Sequence, residues 1–160
     1  MRVVVGIDGS AASLDALEAV ARSYRDGDDV TVVAVVPPPD DVSLLDAHPF
    51  DRPASPRADA ARAGEILRGR RVPATALVLD GRPGETLCSV ADEWRADLLV
   101  VGASAGHGAP RRVLGSVAQY VAGHAACDVL IARRRTRGRA GDDTWEARDV
   151  TTSAGGLREA

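Results

Sequence analysis

Five short apolar runs punctuate the chain, and between them apolar positions recur at helical spacing. "RVVVGI" (2–7), "VTVVAVV" (30–36), "ATALVL" (74–79), "DLLVVG" (97–102) and "DVLIAR" (128–133) are rich in β-branched and aliphatic residues. Turn formers such as "DGS", "PPP" and "DGRPGE" close the first three, so each reads as a strand. After the first run, Leu14, Leu17, Ala21 and Tyr24 lie three or four residues apart, with Ser10 or Ser13 placed to cap a helix. A second helix is expected over residues 58–70. Leu87, Val90, Ala91 and Trp94 form an i, i+3, i+4, i+7 stripe on a third, and Val117, Ala118, Val121 and Ala125 line a fourth over 114–124. Residues 37 to about 57 carry proline and aspartate with little periodicity and read as a long loop.

The pattern is therefore β-α-β-α-β-α-β-α-β. The strand runs are apolar throughout rather than alternating, which marks parallel strands covered on both faces. Right-handed crossovers then build a single open, doubly wound, five-stranded α/β sheet with helices on both sides, of Rossmann-like kind. Ligands of such sheets bind beyond the carboxyl ends of the strands, where strand order reverses. Two loops stand at that end: "DGS" at residues 8–10, and the long segment 102–116.

Composition narrows the chemistry. Of 160 residues 45% are hydrophobic but only 3% aromatic, so the core is aliphatic. The net charge of −3 gives no general reason to expect nucleic acid or a membrane surface as partner. All 20 basic residues are arginine, which removes a Walker lysine and Schiff-base chemistry. His48, His107 and His124 show neither metal-ligand spacing nor triad partners, and no P-loop is present. No run reaches a membrane span, and "MRVVVGIDGS" lacks a signal peptide's apolar region, so a cytoplasmic protein is expected. Cys88 and Cys127, each in an apolar setting and without a CxxC, are expected to be buried, reduced thiols. From residue 134 to 160 the chain is charged and nearly free of aliphatics; it reads as a disordered tail behind a domain of residues 1–133.

The segment "VVGASAGHGAPRRVLGSVAQYVAGH" (100–124) concentrates the candidate chemistry. Gly102 ends a strand, and Gly115-Ser116 opens a helix. A helix's first turn offers unpaired N–H groups and the positive end of the macrodipole, an anion site to which curled glycines add further N–H groups. A phosphate chain is the natural occupant; a merely flexible loop is the plain alternative.

Read together, "VVVGIDGSAASLDALEAVA" and "LLVVGASAGHGAPRRVLGSVAQYVAGHAACDVLIAR" resemble the opening and closing stretches of the universal stress protein family. The nucleotide-binding branch carries G-x2-G-x9-G-[ST] here. Gly102, Gly115 and Ser116 match it, whereas Ala105 stands at the second glycine and Gly106 follows. An alanine forced to positive φ costs roughly 1 kcal/mol, and a turn shifted to Gly106 would restore the loop.

The resemblance implies strand order 3-2-1-4-5 and a regulatory stress-response protein that binds ATP rather than an enzyme, with slow hydrolysis left open. It also implies a site: Asp8 beside the adenosine, Val36 offering backbone groups to the adenine, and Gly102, Gly106, Gly115 and Ser116 cradling ribose and phosphates. Arg111 and Arg112 either neutralise phosphate or face solvent. With no acidic pair beside the loop, Mg2+ would be held mainly by the phosphates. A homodimer through Val129, Leu130 and Ile131 of the final strand is likewise implied. The alternative is the family branch without nucleotide, a dimer acting through its surface on protein partners.

Overall fold

The structure, a computed structural model, describes residues 1–39, 55–103 and 114–133. Five parallel strands alternate with four helices: β1 (Arg2–Ile7), α1 (Ala11–Ser23), β2 (Asp29–Val36), α2 (Pro56–Gly69), β3 (Ala74–Asp80), α3 (Pro83–Glu93), β4 (Leu98–Gly102), α4 (Ser116–His124) and β5 (Asp128–Ala132). The strands form one sheet in the order β3-β2-β1-β4-β5. In β1, Val3 lies opposite both Val30 of β2 and Leu98 of β4. The expected class and strand order are both present.

Two apolar cores follow from the winding. On one face Ala16, Leu17 and Val20 of α1 and Ala60, Ala63 and Leu67 of α2 cover Val3, Val5, Val30 and Val32. On the other, Leu87, Val90 and Ala91 of α3 and Ala118 and Val121 of α4 cover Val4, Val33, Leu99 and Val101. Consecutive strand residues thus belong to opposite cores, which is why the buried positions of the central runs are apolar, Thr31 excepted. The expectation of full burial fails at the edges. β3 is half-exposed along its length, and on β5 Leu130 is open to solvent, because each edge strand has a neighbour on one side only.

The helix boundaries differ from the periodicity in instructive places. Ser10 is the α1 N-cap: its Oγ accepts the Ser13 N–H at 3.2 Å, while the buried Ser13 hydroxyl donates back to the Ser10 carbonyl at 2.8 Å. Trp94 is not the last member of the α3 stripe. The helix ends at Glu93, Arg95 turns left-handed at φ 50°, and Trp94 lies exposed, its carbonyl accepting from Arg2 Nη1 at 3.2 Å. The i+7 spacing, carried one residue past the helix end, therefore mimicked a fourth stripe position. Cys88 and Cys127, the chain's two cysteines, are free thiols as expected but half-buried rather than buried, at the margin of the α3–α4 core.

Candidate functional site

Strand order reverses between β1 and β4: the chain passes from β1 outward to β2 and β3, then crosses to β4 and β5. At such a point the connections leave in opposite directions and a crevice opens at the carboxyl rim. The β1–α1 turn occupies one lip. Asp8 is the first residue past β1 and is exposed; its Oδ1 accepts the Ser10 N–H at 2.9 Å, an Asx turn. Gly9 sits in the left-handed region at φ 76°, and Ser10 then caps α1.

Gly102 ends β4 on the other lip. A Cβ there would lie 2.3 Å from the Ala12 carbonyl oxygen, 2.4 Å from its carbon and 2.8 Å from Ala12 Cβ. The first turn of α1 thus rests directly on the backbone of Gly102, and the two lips are in contact. The next residue, Ala103, donates its N–H to the Ala132 carbonyl at 3.0 Å, which ties the exit of β4 to the end of β5.

Gly115 is the N-cap of α4 with φ −66° and ψ 159°, a conformation open to any residue. Having no side chain, it leaves the first-turn N–H groups of α4 without a side-chain cap, while its carbonyl accepts the Gln119 N–H at 2.9 Å. Ser116, the first helical residue, is exposed. Val36 closes β2 on the same rim with its side chain 36% exposed, and its carbonyl accepts the Gly81 N–H at 2.9 Å. The carbonyl therefore already has one partner. Gly106 lies outside the described residues, as do Ala105, His107, Arg111 and Arg112.

One rim residue was not singled out in the sequence. Asp59, in the first turn of α2, is buried, and its carboxylate lies where a Cβ on Gly9 would be: 2.6 Å from Oδ2 and 2.7 Å from Oδ1. Asp59, Arg62 and Ala63 of α2 line a small pocket with Gly9, Ser13 and Leu14 of the α1 side. The signal was legible: Asp59 stands on the face that Ala60, Ala63 and Leu67 bury, a charge within an apolar stripe.

Among the described residues no group of His, Cys, Asp and Glu is placed to hold a metal, and no helix is long and apolar enough to cross a membrane. Burial pushes the Cys88 and Cys127 thiols above their ordinary range.

Comparison with known proteins agrees with this architecture. A model described as the universal stress protein family matches residues 1–133. Universal stress protein Sll1388 of Synechocystis sp. is 42% identical over 53 residues, which is 33% of this chain and 34% of that protein. The matched stretch thus spans about a third of that relative. A universal stress protein solved in complex with cAMP is 27% identical, with 83% of this chain and 96% of that one superposed at a TM-score of 0.63. The Archaeoglobus fulgidus universal stress protein solved in complex with dAMP, 23% identical, covers 83% of this chain and 98% of its own at 0.63, a likeness of fold.

Proposed function

Because the chain belongs to the universal stress protein family over residues 1–133, we propose that it is a stress-response regulatory protein of the cytoplasm whose ligand is an adenine nucleotide, ATP foremost. The observation that carries this reading is that two features stand on the carboxyl rim at the β1/β4 reversal. Asp8 stands exposed on one lip, and the uncapped N-terminus of α4 opens on the same rim. A carboxylate accepts from hydroxyl or amino groups, and a free helix N-terminus accepts an anion. A nucleotide is a molecule that carries both needs on one frame. The relative of 27% identity solved with cAMP supports the adenine part.

In this reading Asp8 Oδ2 takes a ribose or adenine donor while Oδ1 keeps its turn. Val36 presents backbone to the base, Gly102 and Gly106 line the path of the chain, and Gly115 and Ser116 bind phosphate oxygens. Mg2+ rides on the phosphates. Calorimetry with ATP and Mg2+, repeated with AMP and cAMP, tests it. Saturable heat is expected, and none at millimolar nucleotide overturns the proposal. Gly115→Val, whose backbone angles any residue adopts, is expected to abolish binding with the fold intact.

Ala105 favours a second reading, in which the site is lost and the protein acts through partners. Gain of binding in Ala105→Gly over a silent wild type identifies that case. Both readings share a homodimer through the β5 edge, centred on Val129, Leu130 and Ile131. Its support is that Leu130, 38% exposed, is an apolar side chain on a strand with one open edge. Leu130→Arg is expected to lower the light-scattering mass to the monomer; a wild type already monomeric at high concentration refutes it.

A further inference from the structure

The geometry points to Asp59 of α2 as the positioning residue for the Asp8 turn, the residue that keeps the β1–α1 lip in its binding shape. Three observations converge. First, Asp59 is 8% exposed on a helix face otherwise made of Ala60, Ala63 and Leu67. A carboxylate is costly to desolvate, and an apolar residue would suit that face better unless the charge has work at this spot. Second, its carboxylate packs against Gly9, so closely that a methyl group on Gly9 would overlap both oxygens. Gly9 is the left-handed hinge between Asp8 and the α1 cap Ser10. Third, Asp59 lies in the first turn of α2 with its carboxylate against Gly9, the residue before the α1 N-cap, so it stands where the N-termini of two helices approach each other.

Among the described residues the turn carries short-range bonds: Ser10 N–H to Asp8 Oδ1, Ser13 N–H to Ser10 Oγ and the Ser13 hydroxyl to the Ser10 carbonyl. Such local bonds set the shape of a turn but do not anchor it to the body of the protein. On the β4 side the anchor is Gly102 beneath Ala12; on the α2 side it is Asp59. Without Asp59, Gly9 regains room to leave φ 76°, and Asp8 swings with it. The ligand part of this inference rests on the nucleotide reading above. The turn itself does not.

The test separates the two. Amide hydrogen exchange is measured without nucleotide on wild type, Asp59→Asn, Asp59→Ala, Gly9→Ala and the Gly9→Ala/Asp59→Ala pair. Asp59→Ala is expected to speed exchange of the residue 9–13 amides about tenfold, with β3 and α3 amides unchanged. Gly9→Ala, which drives a methyl group into the carboxylate, is expected to act several-fold less in the Asp59→Ala background, the mark of coupled residues. A turn populated in its competent shape about one-tenth of the time raises the Mg2+–ATP Kd about tenfold, the value expected by calorimetry for Asp59→Ala. Should Asp59→Ala fail to fold, the near-isosteric Asp59→Asn is read in its place. Unchanged turn amides, exchange that rises uniformly over the chain, or additive effects in the pair would each overturn the assignment. A wild type that binds no nucleotide sinks the proposed function alone, since exchange still decides the role of Asp59.

Discussion

Gly102→Ala is expected to destabilise the protein in the absence of any ligand. The added Cβ would stand 2.3 to 2.8 Å from three atoms of Ala12, where carbon contacts ordinarily settle at about 3.5–4.0 Å. Relief requires α1 or β4 to move by roughly 1 Å. Neither is free to do so, because Ala16, Leu17 and Val20 seat α1 in the core and Leu99 and Val100 seat β4. Overpacking costs about 1–3 kcal/mol, and a clash with backbone rather than a rotatable side chain belongs in the upper part of that range. Stiffening of the unfolded chain by alanine offsets about 0.4–1 kcal/mol. The net loss is about 2 kcal/mol, a large share of the ~5–15 kcal/mol typical of a domain. Urea unfolding followed by circular dichroism is expected to show the midpoint lower by about 1 M at a slope near 2 kcal/mol/M. A change within about 0.5 kcal/mol of zero, the usual size of an inconsequential substitution, would refute the reasoning and leave Gly102 a glycine for some other cause, such as a ligand.

Gly64→Ala, in α2 with nothing within 4 Å of the new methyl group, is expected to raise stability by about 0.5–1 kcal/mol in the same assay. Gly84→Ala would bring a Cβ to 2.8 Å from the Tyr120 ring; loosening of the α3–α4 contact and a loss of about 1–3 kcal/mol are expected, read as a lower thermal midpoint. Asp28 is held below the ordinary carboxyl range by the Arg25 N–H and then by the Met1 ammonium 3.0 Å away. Its lowered pKa means the contribution is present above the unfolded-state value and lost as pH falls through the folded one, so Asp28→Asn and wild type are expected to converge in stability in acid. Burial raises the Cys88 and Cys127 thiols, so thiol titration of the folded protein at pH 8 is expected to run slower than after denaturation.

The strands were legible because both-sided burial leaves a central strand almost wholly apolar, as β1, β2 and β4 are apart from Arg2, Asp29 and the buried Thr31, whereas the strand order came with the family resemblance. The edges were less so. Nothing in "ATALVL" says that its neighbour is missing on one side, since edge position belongs to the assembled sheet. Trp94 misled because the helical spacing of the α3 stripe continues onto the residue just after the helix ends at Glu93, ahead of the left-handed turn at Arg95. At the rim, Asp8 and Gly102 were found from their place after a strand. Asp59 was overlooked because its role depends on α2 reaching across to the β1–α1 turn, a contact between residues 50 apart in the chain.

The three glycines at the rim have three different physical causes, and this bears on how the motif is weighed. Gly9 is required by its left-handed φ and by the Asp59 carboxylate beside it. Gly102 is required by the approach of α1. Neither needs a ligand to explain it, so each is as expected in a member that binds nothing as in one that binds ATP. Gly115 is otherwise: its angles suit any residue, and a serine or aspartate there would add a side-chain cap to α4 worth roughly a few tenths of a kcal/mol over glycine. A helix that forgoes its cap keeps its first N–H groups available for another acceptor. The case for a bound phosphate therefore rests on Gly115 and on the exposed Ser116 beside it more than on the number of glycines matched, and Ala105 counts against binding only so far as its own methyl group reaches the acceptor at that helix end.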